Sequence, residues 1–171
     1  MNKVENSSNP FSKIISAYNI FNFLLIGLIF LIDRISKIKI INYQSNTNSI
    51  YINDYLNFEL VWNTGIGFGL FNLEAGLTYH IITFFIFIII TIILFVIIKS
   101  NKVDKFLFSI LLGGALGNLY DRIFYFAVPD FIDLHIGNYH WFTFNIADIF
   151  ISFGIILFIL KEIIFAKNEK S

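Results

Sequence analysis

Between residues 113 and 148 an otherwise apolar chain places Asn118, Asp121, Arg122, Asp130, Asp133, Asn145 and Asp148. Four of its twelve acidic residues fall in this stretch. Ionisable side chains at membrane depth are costly, face a cavity or each other, and mark function. Carboxylates alone can run one demanding reaction, hydrolysis by an activated water. Two of them sharing a proton supply an ionised base and a neutral acid, and the proton belongs to the pair. Asp148 lies within an apolar run and is one member. Its partner is Asp121, Asp130 or Asp133. Asp121 adjoins Arg122, an ion-pairing arrangement that reads as structural. Asp133 reads as further out and solvated. Asp130 follows Pro129, where a helix must end, so its carboxylate can fold back over a cavity mouth. Spacing leans to Asp130 and leaves all three open.

Such a pair needs a scaffold, and composition says which kind. Of 171 residues 57% are hydrophobic and 14% charged, 22 are Phe, and mean hydropathy is +0.74. A soluble domain carries about 25% charged residues, so this is an integral membrane protein. Zero net charge gives no field that recruits nucleic acid. There is no cysteine, which excludes disulfides, thiolate catalysis and Cys-bound metal. The three histidines, His80, His135 and His140, form no H-x-x-x-H or H-E-x-x-H pattern. Neither metal nor cofactor is expected.

Four apolar runs predict four helices across the bilayer: 14–32, 77–98, 106–128 and 141–160. Residues 1–13 read as a short polar tail. Asp33, Arg34, Lys37 and Lys39 mark exit from the first span. Residues 34–76 form a polar segment outside the membrane, with a few small strands over 42–76 lying on its surface. Lys99, Lys102 and Lys105 sit in a loop between spans two and three, and 129–140 is polar enough to lie outside. Eight Lys fall on the side of the termini and four Lys or Arg on the other, so both termini are expected in the cytoplasm. The whole chain reads as one domain.

Spans three and four run in opposite directions. Asp121 lies seven residues before Val128 and Asp148 seven after Trp141, each roughly 10 Å below the outer boundary. Asn118, Asp121 and Arg122 share a helical face, as do Asn145 and Asp148. Gly113-x-x-x-Gly117 permits close helix contact. Trp62 and Trp141 read as interface anchors.

These blocks resemble lipoprotein signal peptidase, the type II signal peptidase of bacteria. Asp33-Arg-Ile-Ser36-Lys37 is similar to the family's D-x-x-[ST]-K, and Asn63-Thr-Gly65-Ile-Gly67-Phe68-Gly69 to its N-x-G-A-A-F-G. Gly113-Gly114-Ala-Leu-Gly117-Asn118-Leu-Tyr-Asp121-Arg122 is similar to G-G-A-x-G-N-x-x-D-R. Val128-Pro-Asp130-Phe131 and Phe144-Asn145-Ile-Ala147-Asp148 resemble V-x-D-F and F-N-x-A-D. The chain departs from the pattern at Ile66 and Gly67, where two alanines are usual, and at Phe126, where a glycine is common.

The resemblance implies an aspartic endopeptidase of the bacterial inner membrane, with its active site near the periplasmic face. It would remove the signal peptide of a prolipoprotein, cutting before a diacylglyceryl-modified cysteine. Asp130 and Asp148 would be catalytic. Asn63, Gly65, Asn118, Arg122, Asn145 and Ala147 would line the cleft, and Asp33, Lys37 and Asp121 would brace it. Its partners would be that substrate and membrane lipid, with no nucleic acid and no metal. Two other classes fit less well. A transporter would show internal symmetry, and a scaffold would not need two aspartates at one cavity.

Overall fold

The computed structural model describes residues 16–44, 49–65 and 76–168. The N-terminal tail, the start of the first predicted span, residues 45–48 and 169–171, and the 66–75 segment with Ile66 and Gly67 lie outside the described residues.

Among the described residues four helices carry the fold: α1 (Ala17–Gln44), α2 (Leu77–Lys99), α3 (Lys102–Phe124) and α4 (Ile146–Asn168). Four strands, β1 (Ile50–Asn53), β2 (Leu56–Asn63), β3 (Val128–Ile136) and β4 (Tyr139–Phe144), form one antiparallel sheet in the order β1-β2-β3-β4. Among the described residues two helices are long and apolar enough to cross a membrane, Leu77–Lys99 and Ile146–Ala166. In the most apolar 18-residue stretch of each, only 11% and 6% is buried inside the protein, so Ile and Phe side chains cover the outside of the bundle. Water does not tolerate a surface of that kind, whereas lipid does.

Helix α3 is the central element and packs against the other three. Its glycines permit this. A Cβ on Gly113 would lie 2.8 Å from Ile29 Cβ of α1, and one on Gly114 would lie 2.5 Å from the Ala147 carbonyl oxygen of α4. The apolar core joins Ile26, Ile90, Ile97, Leu112 and Leu119. A second cluster, Ile40, Phe131 and Ile132, seats the far end of α1 on the sheet.

The structure moves several predicted boundaries. Helix α1 does not stop at Ile32. It continues through Asp33, Arg34 and Lys37, because these charges pair with other helices instead of meeting water. The predicted Lys-bearing loop shrinks to Ser100 and Asn101, and Asn101 caps α3 by accepting from Asp104 N at 3.0 Å. The strands are not confined to the segment between the first two helices. Residues 128–144, read from sequence as a helix end, a polar loop and a helix start, form the β3–β4 hairpin.

Phe126 links α3 to β3 with a φ of +55°, the left-handed region that a bulky side chain avoids. This is the position where the resemblance expects glycine. The conformation costs a non-glycine residue about 1–2 kcal/mol, and the ring is half exposed. Phe126→Gly is therefore expected to stabilise the protein by a few tenths to about 1 kcal/mol, once glycine's own chain entropy is subtracted. Phe126→Val, β-branched, should lower the melting temperature. Thermal unfolding in detergent checks both.

Candidate active site

The first turn of α4 organises the site. Asn145 is its N-cap and Asp148 its third residue. Asn145 Oδ1 accepts from Asp148 N at 3.0 Å, and Asp148 Oδ2 accepts from Asn145 N at 3.1 Å. This reciprocal capping box satisfies two helix N–H groups that otherwise lack partners. A third, Ala147 N, donates to Asp33 Oδ1 of α1 at 2.9 Å. The sequence reading placed Asp148 seven residues inside a span. It stands instead on the first turn, because Trp141–Phe144 is strand. Asp121 likewise lies three residues from the end of α3. Both boundaries move together, so the two polar sets still meet at one level.

Asp130 comes to this point on β3. Register pairs Asn63 of β2 with Val128 and Val61 with Asp130. Asn63 Nδ2 donates to Asp130 Oδ2 at 2.8 Å, and Asn145 Nδ2 donates to Asp130 Oδ1 at 2.6 Å. Asn145 therefore holds both aspartates, one through its amide and the other through its carbonyl and backbone. Asn118 Nδ2 of α3 donates to Asp148 Oδ1 at 2.8 Å. Both aspartates are buried. Burial, reinforced by the charge on Asp148, raises the Asp130 pKa to about 7.

Beneath the pair lies a bracing network. Lys37 Nζ donates to Asp33 Oδ2 at 2.8 Å, to Asn118 Oδ1 at 2.9 Å and to Asp121 Oδ2 at 2.6 Å. All three of its protons are used, and the ammonium is fully buried. Gly117 makes room, since a Cβ there would lie 2.5 Å from Asp33 Oδ2. Asp121 does not pair with its neighbour Arg122, as its position in the chain suggested. Adjacent helical residues point apart. Asp121 pairs with Lys37 and with Arg34, whose guanidinium also lies 4.6 Å from the centre of the Tyr120 ring. Arg122 donates instead to the Gly65 carbonyl, and Gly65 N donates to Asn63 Oδ1 at 2.8 Å. Ala147, expected at the cleft, is fully buried against α3 and lines no open surface. Asp133, a rival for the dyad, is also buried, but it faces His140 rather than Asp148.

Sequence reasoning missed two participants. Arg34 was read only as a membrane-exit charge. Tyr79 of α2 donates its hydroxyl to the Arg122 carbonyl at 2.9 Å and is 1% exposed. It follows Gly76 by three residues with no motif to mark it. Beside Asp148 a groove of about 390 Å³ runs between β4 and α4, walled by Leu134, Phe142, Phe144, Ile149 and Phe153.

A family model described as signal peptidase (SPase) II matches residues 25–164. The chain belongs to the signal peptidase II family. It is 45% identical over 152 residues to the lipoprotein signal peptidase of Pelagibacter ubique, covering 88% of this chain and 91% of that one. It is 41% identical over 141 residues to that of Thermodesulfovibrio yellowstonii, covering 81% and 91%. Two solved bacterial membrane enzymes share the fold. One has a TM-score of 0.69 at 27% identity, over 86% of this chain and 90% of that one. The other has 0.65 at 29%, over 82% and 91%. As a signal peptidase II family member the chain is a membrane protease, and the aspartic chemistry of the family accords with a site built from carboxylates and amides.

Proposed function

We propose that Asp130 and Asp148 are the catalytic pair of a peptidase that removes the signal peptide from prolipoproteins, cutting before a diacylglyceryl-modified cysteine. The observation that carries this reading is the hold of Asn145 on both carboxylates at one buried point. A helix N-terminus favours a negative charge, so Asp148 carries it and Asp130 keeps the proton.

Water between the carboxylates gives a proton to Asp148 and attacks the scissile carbonyl carbon. Asp130 donates its proton to the carbonyl oxygen. The tetrahedral intermediate collapses as Asp148 passes its proton to the leaving nitrogen and Asp130 recovers one from the intermediate's hydroxyl. No covalent enzyme intermediate forms. Asn63, Asn118 and Asn145 orient the pair, Gly65 and Arg122 form the adjoining wall, and Asp33, Lys37 and Asp121 brace it from below. The apolar groove beside Asp148 suits an acyl chain or a signal-peptide helix.

We place all four helices across the bacterial inner membrane as one domain, with both termini in the cytoplasm and the sheet and dyad at the periplasmic face. The excess of Lys on the side of the termini supports this orientation.

The substrate test uses purified protein in detergent and one precursor in two forms, with and without the diacylglyceryl group, followed by gel mobility. Cleavage of the lipidated form alone is expected. Equal cleavage of both forms would remove the lipid requirement, and no cleavage by folded protein would remove the proposed activity.

A further inference from the structure

Two of the three histidines meet on the β3–β4 hairpin, outside the dyad. Asp133 and His135 alternate onto one face of β3. A register shift between Leu134 and His135 sets His140 of β4 directly opposite His135. Bulges re-aim side chains in this way. The chain reverses at Gly137 with φ +60°. His140 Nδ1 lies 2.8 Å from Asp133 Oδ2, and His135 Nδ1 lies 3.5 Å from the same oxygen. One ligand atom from each of the three residues falls within 4.8 Å of the others.

Two buried atoms at this place have no hydrogen-bond partner among the described residues. One is His135 Nδ1, on a residue 8% exposed. The other is Asn57 Oδ1, on the β2 residue that pairs directly with Asp133. A buried ring nitrogen left unmatched is destabilising, and a cation on its lone pair removes that penalty. His140 is half exposed and opens the cluster to solvent.

We propose that Asp133, His135 and His140 form a binding site for a divalent first-row transition cation, with Asn57 Oδ1 beside it as a further oxygen donor. Two imidazole nitrogens and a carboxylate oxygen suit zinc, nickel, copper or iron(II) rather than calcium or magnesium. Zinc holds such atoms at about 2.0–2.2 Å, so ligand atoms stand roughly 3.3 Å apart in a tetrahedral shell. The observed spacings need only small side-chain rotations to reach this. The bound cation would cross-link β3, which carries Asp130, to β4, which leads into the Asn145 cap. Spacing along the chain hid the site. The pattern D-x-H-x4-H is no helical motif, and its members converge only through the hairpin register.

The test uses full-length protein without a polyhistidine tag, stripped with chelator and held in detergent. Zinc chloride is titrated while binding and melting temperature are followed, and cobalt(II) absorption reports the coordination. One zinc per chain is expected, with a rise in melting temperature. His140→Ala, at an exposed position, should fold normally and bind more weakly by at least the roughly 10–100-fold lost with an outer-shell partner. His80→Ala should bind as the unaltered protein does. Absence of zinc binding to the unaltered protein, or full affinity in His140→Ala, overturns the proposal. These readouts do not depend on proteolysis, so the site and the dyad stand or fall separately.

Discussion

Asp130→Asn is expected to lose up to about ten-thousand-fold in kcat, because general acid–base groups contribute roughly a hundred- to ten-thousand-fold and the dyad needs both members. Asp148→Asn should lose as much by removing the base. Each asparagine keeps the size and much of the hydrogen bonding of the aspartate it replaces, so the chain should still fold and insert. The pH profile gives a second readout. With the Asp130 pKa at about 7, kcat/KM should fall above neutrality as the acid loses its proton. Stability follows the same proton. A folded pKa raised above the unfolded value of 3.8 means that the folded state binds the proton more tightly. The stabilisation is complete below about pH 4 and is lost as pH rises through about 7. Unaltered protein should therefore lose melting temperature between pH 5 and 8, and Asp130→Asn should lose less. Normal turnover in either variant, measured by precursor cleavage, would remove the dyad.

Lys37→Met is the second large effect. It leaves Asp33 Oδ2, Asn118 Oδ1 and Asp121 Oδ2 facing one another around an empty centre. Breaking a buried ion pair from one side costs about 3–5 kcal/mol. Activity should fall too, since Asp33 anchors the first turn of α4 and Asn118 holds Asp148. Lys37→Arg should not rescue, because a planar guanidinium cannot fill a fully buried site shaped for three converging bonds to one ammonium. Lys37→Met with Asp33→Asn restores the charge balance and should recover part of the melting temperature. Thermal unfolding of the four proteins in detergent decides this, and a single variant as stable as the double would refute it.

What could be read from the sequence divides along the same lines. The polar residues of 113–148 were visible because each is conspicuous in an apolar chain, and the order of the motif blocks pointed to Asp130 where spacing stayed open. Partners of Asp33, Arg34 and Lys37 were not visible. Lys37 and Asn118 are 81 positions apart, and Arg34 and Asp121 are 87 apart, so the charges looked like an exit from the membrane. Trp141–Phe144 was read into a helix because an aromatic run fits a span and a strand equally, and only pairing with β3 separates them. Asp121 and Arg122 looked paired because they are neighbours in the chain, yet a helix turns neighbours away from each other. The strained φ of Phe126 was foreshadowed, since the resemblance expects a glycine there.

The capping box at the start of α4 bears on how this enzyme can evade a drug. Asn145 and Asp148 close the end of a helix as well as belonging to the proposed site, and Asp33 closes it from another helix. A compound that binds through these three side chains presses on atoms that the chain cannot exchange without loosening its own architecture. Escape by substitution would have to come from the apolar walls of the groove, at residues such as Ile149 and Phe153.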